Sequence, residues 1–233
     1  MAMQNAHDGQ PPIDPEATPL AIFDLDGTLT DPVPGLMSCH RYSLGKVGLD
    51  FDELVTASGR DQSELVRSPV AEIYAAIEVP DTVATEAQQH YRERRPLAGL
   101  QDALYPGIEV LLGSLTNAGW RIGVASNQLE AMAERIVGRL EIADHFVSVA
   151  GSDRERTRTS KVQIIEHLLA SIDPAPDGIA VIADRGTDID AAKAIEATAI
   201  GAAWGFGTIE ELMTANADAI AVTPADVTEL LLG

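Results

Sequence analysis

Three short apolar runs, each closing on a polar residue, do most to limit what this chain can fold into. "PLAIFD" ends at Asp24, "WRIGVAS" at Ser126 and "GIAVIAD" at Asp184. Nearly continuous apolar runs of this length suit parallel strands covered on both faces. Between the last two lie helical patterns. "QLEAMAERIVGRL" spaces Leu129, Met132, Ile136 and Leu140 three or four apart, and "SKVQIIEHLLASI" does the same with Val162, Ile165, Leu168 and Leu169. Weaker strands at "HFVSVAG", "TAIGAAW" and "ADAIAV" alternate with helical stretches at "TDIDAAKAIEA" and "VTELLL". This alternation predicts an α/β fold, a doubly wound, Rossmann-like parallel sheet with helices on both faces.

Residues 33–100 break the alternation. Helical patterns run through "GLMSCHRYSLGKVG", "DQSELVRSPVAEIYAAIE" and "DTVATEAQQHYRERR" without a convincing strand. The core pattern resumes at "YPGIEVLLGSLTNAGW", where Pro106 suits a first helical turn. The expected organisation is a core from 19–32 and 101–233, divided by a helical cap at 33–100. Residues 1–18 are polar and proline-rich, with no apolar or basic leader pattern, and read as a disordered tail.

Composition narrows the function classes. With 45% hydrophobic but only 4% aromatic residues, the core must be largely aliphatic. A formal charge of -20, from 36 acidic against 16 basic residues, argues against nucleic-acid binding, since no basic excess exists to displace phosphate counterions. The single cysteine, Cys39, rules out an intramolecular disulfide and fits a reducing compartment. No apolar run approaches bilayer length. A soluble cytoplasmic protein without membrane partners is expected.

The chemistry gathers where strands end. In doubly wound sheets ligands bind beyond the carboxyl ends of the strands, near the switch in strand order. Asp24, Ser126 and Asp184 occupy such ends, and Asp26 and Asp188 follow within a turn. Carboxylates crowded into one crevice cannot all ionise without a counter-ion. A hard divalent cation resolves this, and all-oxygen ligation points to Mg²⁺. Gly27 lets the chain turn sharply and bring backbone amides close to an anion. Ser126 and Asn127 offer donors, and Lys161 a compact positive charge; with Mg²⁺ these describe a phosphate site. Each residue alone has a plainer reading. "DxD" is commonly a loop, Lys161 a solvated helix residue, Ser126 a helix N-cap and Asp188 an acid favoured by a helix dipole.

"FDLDGTLTD" resembles the first motif of the haloacid dehalogenase-like superfamily, "VASNQ" its second, Lys161 its third and "IADRGTDIDAAKA" its fourth. "AIGAAWGFGTIEEL" and "ADAIAVTPADVTELL" are similar to the closing segments of its phosphoglycolate phosphatase-like members. The likeness spans roughly residues 19–233. It implies a phosphatase with Asp24 as nucleophile and Asp26 as general acid/base. Mg²⁺ would be held by the Asp24 carboxylate, the Asp26 carbonyl, Asp184 and Asp188 (the last directly or through water), while Ser126 and Lys161 hold the phosphoryl group. Two departures stand out: Ala183 replaces a common glycine, and Gln128 a frequent lysine. In the insert, "ASGRDQ" offers Gly59 and Arg60 as a loop reading the leaving group; the alternative is a helix–helix turn with a surface arginine. "YRERR" at 91–95 reads as a helix face paired with nearby acids.

The leading expectation is a Mg²⁺-dependent phosphatase acting on a small phosphorylated metabolite, such as phosphoglycolate or a nucleoside monophosphate, through an aspartyl phosphate. A phosphomutase would share that intermediate, and a catalytically silent binding protein would share the fold. Substrate and oligomeric state stay open at this stage.

Overall fold

In the computed structural model, residues 18–155 and 157–233 are described; the residues 1–17 of the expected tail lie outside them. The chain opens with β1 (Leu20–Phe23), β2 (Thr30–Asp31) and five helices, α1 (Val33–Lys46), α2 (Phe51–Ser58), α3 (Gln62–Leu65), α4 (Val70–Ala76) and α5 (Asp81–Arg94). A 3₁₀ turn at Arg95–Gln101 leads to β3 (Ala103–Leu104), α6 (Ile108–Asn117), β4 (Arg121–Leu129), α7 (Glu130–Arg139) and β5 (Ser148–Ser152). Next come α8 (Lys161–Ala170), β6 (Ile179–Ala183), α9 (Gly186–Ala194) and β7 (Thr198–Ala202). The last elements are α10 (Ile209–Thr214), β8 (Ala219–Ala221) and α11 (Pro224–Leu232).

Six strands form a sheet in the order β5-β4-β1-β6-β7-β8, and every neighbouring pair is parallel. The chain winds one way from β1 through β4 to β5, then returns to the other side of β1 with β6. The switch in strand order therefore falls at β1, whose side chains divide strictly by parity. Leu20 and Ile22 join the apolar layer beneath α8, α9 and α10, whereas Ala21 and Phe23 join the layer beneath α6, α7 and α11. All four are fully buried, as the continuous apolar run predicts.

Two local expectations shift. β4 continues through Asn127 and Gln128 to Leu129, with a break in register after Ala125. Helix α7 consequently buries Ala133, Ile136 and Val137, and Leu129 faces solvent instead of starting the apolar stripe. Pro106 precedes α6 and lies outside its first turn, because Gly107 adopts φ +92° at the N-cap.

The helices α1–α5 carry an apolar cluster of their own, from Val33, Leu36 and Leu44 through Phe51, Val55, Ile73 and Tyr74 to Ala87. An aromatic group sits within it: His40 stacks on Phe51 and Tyr91 at 5.1 and 4.5 Å, with Tyr74 edge-on at 5.6 Å. Cys39 is buried beside them. The chain leaves and re-enters the core through the antiparallel pair of β2 and β3, Thr30 opposite Leu104, which the sequence pattern did not reveal. No helix among the described residues is long and apolar enough to cross a membrane.

Candidate active site

The turn after β1 is tied by its own backbone. Leu25 O accepts from Leu29 N and Thr30 N at 3.0 and 2.9 Å, and Gly27 N donates to Thr30 O at 2.8 Å. Gly27 takes φ +94°, and a Cβ there would fall 2.3 Å from Asp184 Oδ2. Glycine is thus needed both for the left-handed turn and for the approach of a neighbouring carboxylate.

Asp24, Asp184 and Asp188 each present one carboxylate oxygen within 4.8 Å of the others, and all three are buried. Lys161 reaches into this group from the first turn of α8. Its Nζ donates to Asp24 Oδ1 at 2.5 Å and to Ala125 O at 2.8 Å, and lies 3.3 Å from Asp188 Oδ1. A cation at a helix N-terminus is opposed by the helix dipole. The helix is held there by a capping box in which Ser160 Oγ accepts from Gln163 N and Gln163 Oε1 accepts from Ser160 N. With 8% of its surface exposed, Lys161 is no solvated helix residue.

One ammonium does not balance this cluster. Burial, then the Asp24 charge, pushes the Asp184 carboxyl from 3.8 up to about 7, even though Phe206 N donates to its Oδ2 at 2.8 Å. Burial likewise raises Asp188 to about 6, against the pull of Lys161. Burial alone would depress the Lys161 ammonium, yet Asp24 and Asp188 together raise it above its ordinary value. Asp188 Oδ1 lacks hydrogen-bond geometry to any partner among the described residues. Converging oxygens and surplus negative charge fit a hard divalent cation such as Mg²⁺.

Asp26 lies beside this group and is half-buried. Burial first, then Asp24, raises its pKa, while Gln128, Arg95 and Lys161 oppose the rise. Gln128 Nε2 donates to both Asp26 oxygens at 2.7 Å. Ser126 is fully buried and its Oγ accepts from Gln128 N at 3.2 Å. It caps no helix, because the strand runs on for three residues beyond it. Asn127 is exposed at the same strand end. Gly59 is the left-handed C-cap of α2 at φ +67°, and Arg60 beside it is exposed, its backbone N donating to Ser58 Oγ at 3.3 Å. The structure thus gathers Asp24, Asp26, Ser126, Lys161, Asp184 and Asp188, and leaves Arg60 without a side-chain partner among the described residues.

Sequence reasoning missed three neighbours. Arg95, read as part of a basic helix face, follows α5 and stabilises the charge on Asp26. Asp102, 2% exposed at the return to the core, is pushed up to about 7 by burial and by Asp26. Phe206 supplies the N–H to Asp184 from the stretch "AIGAAWGFGTIEEL", in which sequence reasoning assigned no residue a role at the site.

Known proteins resemble this chain in sequence and fold. The chain is 35% identical to the tyrosine-protein kinase PtkA of Mycobacterium tuberculosis over 82% of its own length and 64% of that protein, so it spans less than two thirds of this relative. A solved structure of PtkA superposes with a TM-score of 0.69 at 31% identity, over 94% of this chain and 100% of that one. A 5'-nucleotidase of Pseudomonas aeruginosa is 33% identical, covering 83% of this chain and 86% of its own. A phosphoglycolate phosphatase of Rhodospirillum rubrum is also 33% identical, over 79% of each. The model of the haloacid dehalogenase-like hydrolases matches residues 18–196, a span that takes in β1 with its two aspartates, Lys161 and both acids after β6. On this match and on the shared fold, the chain belongs to the haloacid dehalogenase-like hydrolase family.

Proposed function

We propose that the protein is a Mg²⁺-dependent phosphatase that hydrolyses a small phosphorylated metabolite through an aspartyl phosphate on Asp24. The observation that carries this reading is the buried group of Asp24, Asp184 and Asp188 with Lys161 Nζ 2.5 Å from the Asp24 carboxylate. Asp24, Asp184, Asp188 and the Asp26 carbonyl would hold the ion, which supplies positive charge against the phosphoryl oxygens.

Lys161 occupies one oxygen of Asp24 and leaves the other to attack phosphorus. As the new O–P bond forms, the bond to the leaving oxygen breaks and Asp26 protonates that oxygen. Burial and the Asp24 charge raise the Asp26 pKa and so favour the protonated form that a general acid needs. Asp26, now ionised, removes a proton from water, which attacks phosphorus and frees Asp24 and inorganic phosphate. Ser126, Asn127 and Lys161 hold the phosphoryl oxygens throughout. The helices of residues 33–100 act as a cap that excludes water when seated, with Gly59 and Arg60 facing the leaving group. The nucleotidase and phosphoglycolate phosphatase relatives point to a nucleoside monophosphate or a phosphorylated two-carbon acid as substrate. The reaction belongs in the cytoplasm, where such metabolites and reduced thiols coexist.

The test is phosphate release from a panel of phosphorylated metabolites, with chelator and with Mg²⁺ restored. The expected result is turnover of one metabolite class, lost in chelator and recovered with Mg²⁺. Full turnover in chelator overturns the metal assignment. The kinase named among the relatives supports a second reading, transfer to an acceptor other than water. Phosphorylated product in place of free phosphate would favour it.

A further inference from the structure

The loop Trp204–Gly207 lies so close to the acid cluster that its glycines admit no side chain. A Cβ on Gly205 would sit 2.3 Å from both Asp184 Cβ and Gly27 O, and one on Gly207 would sit 1.7 Å from the Asp184 carbonyl oxygen. Trp204 Nε1 donates to Thr28 O at 2.9 Å, and Phe206 N donates to Asp184 Oδ2 at 2.8 Å. From the opposite side the helical insert grips the same loop. The Phe206 ring packs against the insert's apolar cluster. The guanidinium of Arg67, between α3 and α4, lies 4.5 Å from that ring's centroid, and its Nη1 donates to Gly205 O at 3.0 Å.

We propose that Arg67 is a positioning residue for the catalytic acids. By clamping Gly205 and Phe206 from the insert, it keeps the Phe206 N–H on Asp184 and couples the seating of the cap to the orientation of a metal-binding carboxylate. The inference rests on the Mg²⁺-site reading above and extends it to a residue outside the four motifs. Asp184 has two anchors, Phe206 N on Oδ2 and Thr28 Oγ1 on Oδ1 at 3.4 Å. The second is long, so the first sets which way the carboxylate faces. Arg67 is itself exposed, and an exposed arginine ordinarily tolerates truncation with little consequence. Losing its positive charge would by itself strengthen cation binding nearby, so weaker binding on its removal points to the loop. Coupling of this kind is reciprocal, so a cation at Asp184 also holds the cap down.

The test measures Mg²⁺ affinity calorimetrically on the full chain for wild type, Arg67→Ala, Arg67→Lys and Phe206→Leu. Asp184→Asn gives the background of cations held by an acidic surface. Arg67→Ala should bind Mg²⁺ about fivefold more weakly, the low end of couplings between sites. Arg67→Lys keeps a cation over the ring and a donor for Gly205 and should recover most of the affinity. Phe206→Leu keeps the backbone N–H but loses the ring and should weaken binding in the same direction. Hydrogen exchange should show Mg²⁺ protecting amides of residues 65–68 and 204–207 in wild type but not in Arg67→Ala. Unchanged affinity in Arg67→Ala, or no recovery with lysine, overturns the clamp. A wild type that binds no Mg²⁺ above the Asp184→Asn background instead removes the metal-site reading, and this proposal with it.

Discussion

Removing one acid from the cluster should make the metal-free protein more stable while destroying its activity. Asp184→Asn is the sharpest case. Asparagine matches aspartate in shape, its Oδ1 can still accept from Phe206 N, and its amide can donate to the Thr28 hydroxyl. What disappears is a buried charge. Asp184 is 1% exposed and its carboxyl is pushed from 3.8 to about 7. At about 1.4 kcal/mol per pKa unit, keeping it ionised above pH 7 costs the metal-free fold about 4 kcal/mol. This is an upper bound, because Asp24 and Asp188 readjust when their neighbour is neutralised. The sign follows from linkage. The folded state holds its proton to higher pH than the unfolded chain, so stability contributed by the protonated form is intact below about pH 4 and lost as pH rises through about 7. Thermal melts in EDTA should therefore show wild type and Asp184→Asn nearly coincident at pH 4. At pH 8 the variant should melt higher, by up to on the order of 10 °C for a chain of this size. Mg²⁺ should narrow the gap: at 100-fold above Kd it adds about 2.7 kcal/mol to a protein that binds it, and the variant lacks a ligand. A variant less stable than wild type in EDTA at pH 8 would refute the account of Asp184 as an uncompensated charge.

Other perturbations separate the remaining roles. Asp24→Asn should abolish turnover of every substrate, whereas Asp26→Asn should release aryl alcohol from an activated phosphate in a burst stoichiometric with enzyme. The following hydrolysis should be slower by about 10²–10⁴-fold, with mass spectrometry finding the phosphoryl group on Asp24. Gln128→Leu removes the amide that donates to both Asp26 oxygens. Asp26 should then hold its proton longer, moving the alkaline limb of the kcat/KM profile upward by about one pH unit. An unmoved limb would show that Gln128 does not tune the acid. Arg60→Ala should lower kcat/KM for the best metabolite by roughly tenfold, as for one lost charge-assisted contact, and leave an aryl phosphate unaffected. An equal loss on both substrates would assign Arg60 to general attraction of anions.

The sequence made legible those parts of the site that lie at the ends of buried strands. A run such as Leu20–Phe23 can satisfy both its faces only inside a sheet, so the polar residue that stops it marks the rim. That logic marked Asp24 and Asp184, which directly follow β1 and β6, and stopped β4 three residues short at Ser126. It failed where polar residues continue a strand, as Asn127 and Gln128 do in β4, because no apolar signal distinguishes that extension from a loop. The burial of Lys161 was also invisible on its own, since a lysine in a first helical turn ordinarily faces water. Only the placement of α8 beside β4 turns it inward. Arg67 and Gly205 are 138 residues apart, and local pattern carries no trace of their bond. Composition was informative for the buried residues of the sheet layers, which are aliphatic apart from Phe23. It hid the gathering of Phe51, Tyr74 and Tyr91 around His40 in the insert.

The central position of β1 has a consequence during synthesis. Leu20 pairs with Arg121 on one side and Ile179 on the other, so β1 leaves the ribosome before either of its neighbours and waits for both. At translation rates of about 5–20 residues per second, the second neighbour follows on the order of 10–30 s later. The helices at 33–100 make many of their contacts among themselves and can assemble within that interval. Leu20–Phe23 cannot, because among the described residues its nearer parallel partner in the chain is β4. For those seconds the most completely buried segment of the mature molecule is a bare apolar strand with two unpaired edges, the kind of surface that chaperones bind and that neighbouring nascent chains can trap.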